Sequence, residues 1–309
     1  MRNVVVFPIA GRLRIICSPT RCIPWRRVAI ALYIGVNVGL LLWAPERPGP
    51  HNADWQVFLS LRDVAPYEIT VPGPFRYSPV AAWLFAAVTY LGYWPWLALH
   101  VGALWLLRFS PLLLILVLAS WGFWLDAMMG NAFALVFVAG LLALRGSRGW
   151  ALVYIALLCL MPRPVQIPVA LWLLWKMPTV RLPALGVVAV HGILTVLSGD
   201  GLEWGEVLLS TASGSMGYNL SPSAIVSSVW LVVGIPLAAW LTWRGQVGWA
   251  SAAISPYLLP MYWLMPLLDL RGAPSVPHRR QVDDRLRHQR VIMRSRTMAG
   301  STMKALRPN

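Results

Sequence analysis

Residues 45–77 combine side chains of three kinds that together suit a phosphorylated sugar. Within the stretch, residues 51–77 contain one carboxylate of interest, Asp54, two cations, Arg62 and Arg76, and a set of aromatic rings. Those rings belong to Trp55, Tyr67, Phe75 and Tyr77. A carboxylate, stacking surfaces and cations are what a sugar donor attached to a lipid phosphate requires. A segment of about thirty residues is long for a connector, and long ordered loops tend to be functional. The alternative is an acidic and aromatic loop that only borders a membrane.

The composition indicates that these side chains are carried by a membrane protein. Hydrophobic residues make up 58% of the 309 residues and charged residues only 12%, which a soluble globule could not cover with a polar surface. The net charge of +15 is concentrated at the two ends. Residues 1–27 carry six arginines and no acid, and residues 271–309 carry ten cations against Asp283 and Asp284. Basic ends on an apolar body favour an anionic membrane face over nucleic acid as the partner.

The distribution of charge between the apolar runs predicts a topology. Short loops rich in Lys and Arg mark the cytoplasmic side, and this rule fails if all ten apolar runs cross the membrane. If residues 78–92 instead lie on the outer surface as a juxtamembrane helix, nine spans remain and every basic loop becomes cytoplasmic. Eight of the eleven acids then fall outside, in residues 45–77, 126–131 and 199–224. We therefore predict an all-α bundle of about nine to ten transmembrane segments in the cytoplasmic membrane.

The predicted domains follow from the same pattern. Residues 1–27 are a basic cytoplasmic N-terminus, residues 28–270 are the transmembrane domain, and residues 271–309 are a basic tail of disordered composition. Nine spans would deliver this tail to the outside. The last run, residues 248–268, contains three prolines, which would permit a re-entrant pair of half-helices that returns the tail to the cytoplasmic side. If the run crosses the membrane instead, the basic tail lies outside, against the rule for basic segments.

Four short motifs resemble glycosyltransferase family 87, the bacterial mannosyltransferases of the GT-C class. They follow each other in the family's order. The motifs are Asp54-Trp55 with Pro66-Tyr67 and Phe75-x-Tyr77-x-Pro79, then Gly130-Asn131, then Pro162-Arg163-Pro164-Val165-Gln166, and finally Asn219-Leu220-Ser221-Pro222-Ser223. The resemblance implies transfer of a hexose, typically mannose, from a polyprenyl-phosphate sugar to a glycan or glycolipid acceptor at the outer membrane face. It also implies a juxtamembrane helix on the interface.

The resemblance assigns roles to individual residues. Asp54 corresponds to the loop carboxylate and is the candidate general base, since it could remove the proton of the attacking hydroxyl. Asp126 is the candidate second acid, with helix capping as the alternative. Arg76 and Arg163 are candidates for the donor phosphate, and a cation at a helix end is the alternative for Arg163.

The remaining candidates are contacts to the sugar or within the loop, and each has a plainer alternative. These candidates are Trp55, Tyr67, Tyr77, His51, Asn131 and Gln166. For Trp55, as for Trp121 and Trp124, anchoring at the interface is the alternative to a sugar platform. A lone loop histidine such as His51 is more often solvated than catalytic.

Other enzyme classes lack support in the sequence. Phosphate-binding loops, HExxH, paired Cys-x-x-Cys and Gly-x-Ser-x-Gly are absent, as is the Asp-x-Asp signature with which nucleotide-sugar enzymes hold a metal. The sequence therefore indicates no cofactor and no metal ligand, and leaves a metal requirement open. A transporter or lipid flippase is the main competing interpretation. A catalytically inactive family member with a truncated C-terminus is another, since the family continues with further spans where this chain becomes arginine-rich after Leu270.

Overall fold

A computed structural model describes residues 8–9, 12–13, 30–38, 53–69, 75–213, 229–255 and 258–270. The chain divides into two units, Met1–Arg271 and Gly272–Asn309, and all described residues belong to the first. Most of the basic N-terminus, His51, the motif at residues 219–223 and the whole tail at 271–309 lie outside the described residues.

The described part of the chain is overwhelmingly helical. A single antiparallel pair joins β1 (Pro8–Ile9) to β2 (Arg12–Leu13). The helices are α1 (residues 30–38), α2 (Ala53–Ser60), α3 (Pro79–Thr89), α4 (Tyr93–Ala103), α5 (Pro111–Leu118), α6 (Trp121–Met129), α7 (Phe133–Leu144), α8 (Arg148–Leu160), α9 (Ile167–Lys176), α10 (Pro178–Ser198), α11 (Gly201–Ser213), α12 (Trp230–Trp243) and α13 (Val247–Ile254). Four 3₁₀ segments complete them: Pro66–Glu68, Leu104–Leu107, Pro164–Gln166 and Pro260–Leu270.

One helix in the described part, α10, is long and apolar enough to cross a membrane. Its 21 residues extend about 31 Å, which matches a hydrocarbon core of about 30 Å. Two bent helix pairs also pass the test of length and composition, so the described helices supply up to three spans. The prediction of nine spans therefore stays a prediction.

The charges that flank α10 are sorted by sign. Lys176 and Arg181 lie at its N-terminal end, whereas Asp200, Glu203 and Glu206 follow its C-terminal end. A helix dipole favours the opposite order, because its N-terminus is the positive end. The dipoles of the neighbouring helices favour these positions, since Lys176 lies in the last turn of α9 and Glu203 in the first turn of α11.

The predicted juxtamembrane run forms a helix of its own. The Ser78 hydroxyl caps α3 by accepting a hydrogen bond from the Ala81 backbone N–H, and Pro79 occupies the first turn. The helix ends before Gly92, whose φ of 91° suits only glycine well. The helical segment Tyr93–Leu107 then leaves at 109° to α3. This bend gives α3 a direction different from that of the segment that follows it.

Helix α7 forms the centre of the core, and nearly all of its side chains are buried. It packs against α8, where Gly140 lets the ring of Tyr154 approach closely. It also packs against the Pro260–Leu270 segment, which is itself almost entirely buried. The proline-rich run at residues 248–268 is thus two packed pieces and not one continuous helix.

Candidate functional site

Helix α2 presents Asp54 and Trp55 in different environments. Asp54 is half-buried, whereas Trp55 is only 4% exposed and belongs to the core. The Trp55 indole packs edge-on against the ring of Tyr93 at 5.8 Å and against Trp96 at 6.3 Å. In this structure Trp55 packs the helix that carries Asp54 into the core, and its role as a sugar platform stays a prediction.

Gly130 holds α2 in place from the other side. Its φ of +79° is in the left-handed region, and a Cβ at this position would lie 2.7 Å from the Trp55 Cβ. No other residue type fits both constraints. The Trp96 indole Nε1–H also donates to the Gly130 carbonyl at 2.8 Å. The Gly130-Asn131 motif therefore docks the helix next to the candidate base.

A polar network connects three of the predicted residues. The Arg163 guanidinium Nη2 donates to the Tyr77 hydroxyl at 2.5 Å and to Asn131 Oδ1 at 3.2 Å. The Tyr77 hydroxyl in turn donates to the same Asn131 oxygen at 3.2 Å. The amide of Asn131 is oriented by Met261, whose sulfur accepts from Nδ2 at 3.0 Å. Asn131 therefore lies inside the protein as a structural partner and not at a sugar-binding surface.

Arg163 is buried, with 7% of its surface exposed, and its guanidinium is surrounded by aromatic rings. The ring centroids of Tyr77, Phe133 and Tyr262 lie 5.3, 5.4 and 5.1 Å from its Cζ. Such contacts stabilise a cation whose hydration has been removed. The alternative of a cation at a helix end that extends to the membrane surface does not describe Arg163, since its side chain is buried inside the protein. A direct contact with a donor phosphate is not what this position favours.

Gln166 fixes the backbone that carries Arg163. Its Oε1 accepts a hydrogen bond from the Arg163 backbone N–H at 3.2 Å, and its own N–H donates to the Arg163 carbonyl at 2.9 Å. The Tyr154 hydroxyl donates to the Gln166 carbonyl at 3.2 Å. Gln166 is fully buried, so its position corresponds to a cap and not to a sugar contact.

Asp126 is fully buried and caps α7. Its two carboxylate oxygens accept hydrogen bonds from the backbone N–H groups of Phe133, at 3.3 Å, and Ala134, at 2.7 Å. A carboxylate at a helix N-terminus is favoured by the helix dipole. The structure thus shows the capping alternative, and the burial of Asp126 removes it from contact with an acceptor. Its charge nevertheless acts on Asp54.

Four influences set the pKa of Asp54: its burial and the charges of Arg163, Asp126 and Arg76. Burial raises the pKa of Asp54 from its ordinary value of 3.8 to about 6. The positive charge of Arg163 lowers this pKa, the negative charge of Asp126 raises it, and Arg76 lowers it. The net result is a carboxyl group that titrates close to neutral pH. A general base works best when its pKa lies near the operating pH.

Arg76 and Tyr67 lie at the more accessible side of this cluster. Both are half-buried, and the Tyr67 hydroxyl donates to the Tyr77 carbonyl at 2.9 Å. Burial raises the pKa of Tyr67 above its usual range, and the negative charges of Asp200 and Glu203 raise it further. The start of α11 therefore lies near the Pro66–Glu68 segment. Arg76 is the predicted phosphate ligand whose position fits that role best.

Two residues of the cluster were not expected there from the sequence. Trp96 and His100 are one helical turn apart on α4, and both face the core. His100 is completely buried, its Nδ1 pairs with the Trp96 carbonyl at 2.9 Å, and its ring interacts electrostatically with Asp126. The available signal was their spacing of four, which places two polar aromatic residues on one helix face.

The structure brings together nine of the ten candidate site residues, and the tenth, His51, lies outside the described residues. Within the described ranges no group of three or more metal-binding side chains occurs. Trp124, one of the suggested sugar platforms, donates its Nε1–H to the Leu118 carbonyl at 2.8 Å and anchors the turn between α5 and α6.

The chain was compared with protein-family models, curated proteins and solved structures. No family model, no curated protein and no solved structure matches it. The similarity to glycosyltransferase family 87 thus rests on the quoted motifs and their order.

Proposed function

We propose that the chain is an integral membrane glycosyltransferase that moves a hexose, such as mannose, from a polyprenyl-phosphate sugar to a glycan or glycolipid acceptor. The observation that carries the proposal is the position of Asp54. It is a half-buried carboxyl with a pKa near 6, within the electrostatic reach of two arginines and beside aromatic side chains. Each feature serves one step of an inverting displacement.

In the proposed reaction the acceptor oxygen attacks the anomeric carbon of the donor. As the new C–O bond forms, the acceptor hydroxyl gives its proton to the Asp54 carboxylate. The bond between the anomeric carbon and the phosphate oxygen breaks, and the electron pair leaves with the polyprenyl phosphate. This leaving group is already an anion, so it needs neutralisation more than protonation.

Arg76 is the residue proposed to contact the departing phosphate. Arg76 is half-buried and acts electrostatically on Asp54. A donor phosphate bound to Arg76 would therefore lie close to the carboxylate that receives the proton of the acceptor hydroxyl. Arg163 is proposed to act at longer range, because its Nη2 is already hydrogen-bonded to Tyr77 and Asn131. Its charge lowers the pKa of Asp54 and would favour an approaching phosphate without touching it.

The outer membrane face is the proposed side of the reaction. Support comes from the sorted charges around α10, since the acidic end of this helix is the end near Tyr67. A cation-rich cytoplasmic side then places Tyr67 and its neighbours outside. A separate α3, bent away from the helix that follows, suits an element that lies along the interface.

The test is a single isosteric substitution with a matched control. Membranes containing Asp54→Asn are supplied with labelled polyprenyl-phosphate mannose and glycan acceptors, and transfer is compared with that of the wild type. We expect a loss of about 100-fold to 10,000-fold, which is the usual contribution of a general base. Asp63→Asn is the control, because Asp63 is an exposed carboxylate of the same loop. Full transfer activity in Asp54→Asn would refute the mechanism.

A transporter or lipid flippase is the second candidate, and one observation favours it. Charged groups buried among helices mark transport pathways in many membrane proteins, and both Arg163 and Asp126 are buried. Both, however, have fixed structural partners in this fold. Flux of a lipid-linked sugar across proteoliposomes without product formation would support this alternative over transfer.

A further inference from the structure

At the N-terminal end of α10 the structure combines exposed cations with exposed indole rings. We call this set the basic-aromatic rim. Its residues are Lys176, Arg181, Arg244, Trp175, Trp240 and Trp243. All six side chains are exposed, although tryptophan on a soluble surface would be buried where possible.

The cations of the rim are held against aromatic rings. The Lys176 ammonium lies 3.8 Å from the Trp175 ring centroid and 5.0 Å from that of Trp172. The Arg244 guanidinium lies 5.4 Å from the Trp240 ring centroid. Cations stacked in this way keep their charge available at the surface while their carbon stems cover apolar area.

Trp172 connects the two halves of the rim. A Cβ on Gly245, which follows Arg244, would lie 3.3 Å from the Trp172 ring, the same ring that Lys176 contacts. Arg181 lies next to them, because its Nε donates to the Leu174 carbonyl at 2.8 Å and so folds over the end of α9. Three cations from α9, α10 and the α12–α13 turn are thereby gathered in one region.

The depth of the rim follows from the helix it flanks. Lys176 and Arg181 lie on either side of Pro178, the first residue of the helix that is long enough to cross the hydrocarbon core. A helix of this length places its end at the level of lipid headgroups. Tryptophan prefers this level, and anionic headgroups attract cations there. The carboxylate nearby in the fold, Asp269, accepts hydrogen bonds from the N–H groups of Gly248 and Trp249.

We propose that the basic-aromatic rim is a binding site for the headgroup of an anionic phospholipid. The headgroup phosphate would lie among Lys176, Arg181 and Arg244, and the indoles would border the glycerol and upper acyl region. This inference rests on the membrane location given under the proposed function and does not depend on the transfer reaction. It also adds a role for cations at the N-terminal end of α10, whereas the acids that act on Tyr67 follow its C-terminal end.

The test measures lipid retention by the full-length protein without any glycosyl donor. Protein in neutral detergent is mixed with phosphatidylglycerol or phosphatidylcholine at equal mole fraction, and retained lipids are counted by native mass spectrometry. Wild-type protein should retain phosphatidylglycerol preferentially. Each cation near a membrane surface contributes about fivefold, so Lys176→Gln with Arg181→Gln and Arg244→Gln should weaken retention on the order of 100-fold. Arg148→Gln removes one exposed cation outside the rim and should weaken retention by no more than about fivefold.

Two further arms keep the outcome decisive. If the triple variant loses helix content by circular dichroism, Lys176→Gln alone should still weaken retention about fivefold, while Lys176→Arg should retain lipid as the wild type does. Equal retention of the two lipids by the wild type would overturn the proposal, as would a triple variant that behaves like Arg148→Gln. Inorganic phosphate that displaces the lipid at equal concentration would indicate a general anion site and would also overturn it.

Discussion

The raised pKa of Asp54 makes the candidate base a group that destabilises the fold while it is ionised. The perturbation to test is Asp54→Asn, which keeps the shape and removes the charge. A rise from 3.8 to about 6 corresponds to about 3 kcal/mol of differential interaction between the two protonation states. The folded protein binds this proton more tightly than the unfolded chain does. Stability from this group is therefore complete below pH 4, falls as the pH rises through about 6, and is then constant.

Two measurements follow from this sign. At pH 7.5 the Asp54→Asn variant should be more stable than the wild type by up to about 3 kcal/mol, and this advantage should vanish near pH 4. Thermal unfolding in detergent across this pH range measures it, with Asp63→Asn as a control that shows no gain. The pH profile of wild-type kcat/KM should show an acid limb near pH 6, because only the ionised carboxylate can accept a proton. The reasoning is refuted if Asp54→Asn is the less stable protein at pH 7.5, or if the acid limb lies near pH 4.

Three further substitutions test the framework around this carboxyl. Gly130→Ala should destabilise the protein by more than the roughly 1 kcal/mol expected for a strained φ, because its Cβ would meet the buried Trp55. Gly146 has a φ of +98° and open space around it, so Gly146→Ala should show the effect of backbone strain alone. Thermal melts of the two variants measure the difference. Tyr77→Phe should lower stability by about 1–3 kcal/mol, since it leaves a buried arginine and an amide without their shared partner, and unchanged unfolding would contradict the network. Asp126→Asn should move the acid limb of the pH–rate profile to lower pH, because the negative charge that helps to raise the pKa of Asp54 is removed; a shift to higher pH would show that the sign is wrong.

The sequence predicted the helical class, because apolar runs are a local pattern. It also set residues 78–92 apart, from the charges of the loops, and the structure has the separate helix α3 there. Apolar runs and a carboxylate beside an indole can both be recognised within a few residues of sequence. The number of spans could not be tested in the same way. Several apolar helices, such as α7 and α8, are 12 and 13 residues long and lie partly or wholly in the core, so length and hydropathy alone do not separate a span from a buried helix.

The sequence did not predict which candidates would be buried, and the reason is physical. Whether a side chain faces substrate or the interior depends on what other segments place against it, and those contacts join residues far apart in the chain. Asn131 reaches Met261, 130 positions away, and Arg163 reaches Tyr77, 86 positions away. A sequence motif therefore indicates which residue type occupies a position. It does not indicate whether that arginine or asparagine binds a ligand or forms hydrogen bonds inside the protein.

The distinction between ligand and support narrows the candidate site to its accessible members. Asp54, Arg76, Tyr67 and Tyr77 are half-buried, whereas Arg163, Asp126, Asn131 and Gln166 behind them are buried. Arg163 donates to Asn131, Gln166 caps the backbone of Arg163, and Asp126 caps α7. A buried polar network with fixed partners costs desolvation energy that an apolar core would not, so its presence beneath a half-buried carboxylate needs a reason. Holding that carboxylate at an intermediate pKa between opposing charges is such a reason, since the two arginines lower the pKa while burial and Asp126 raise it.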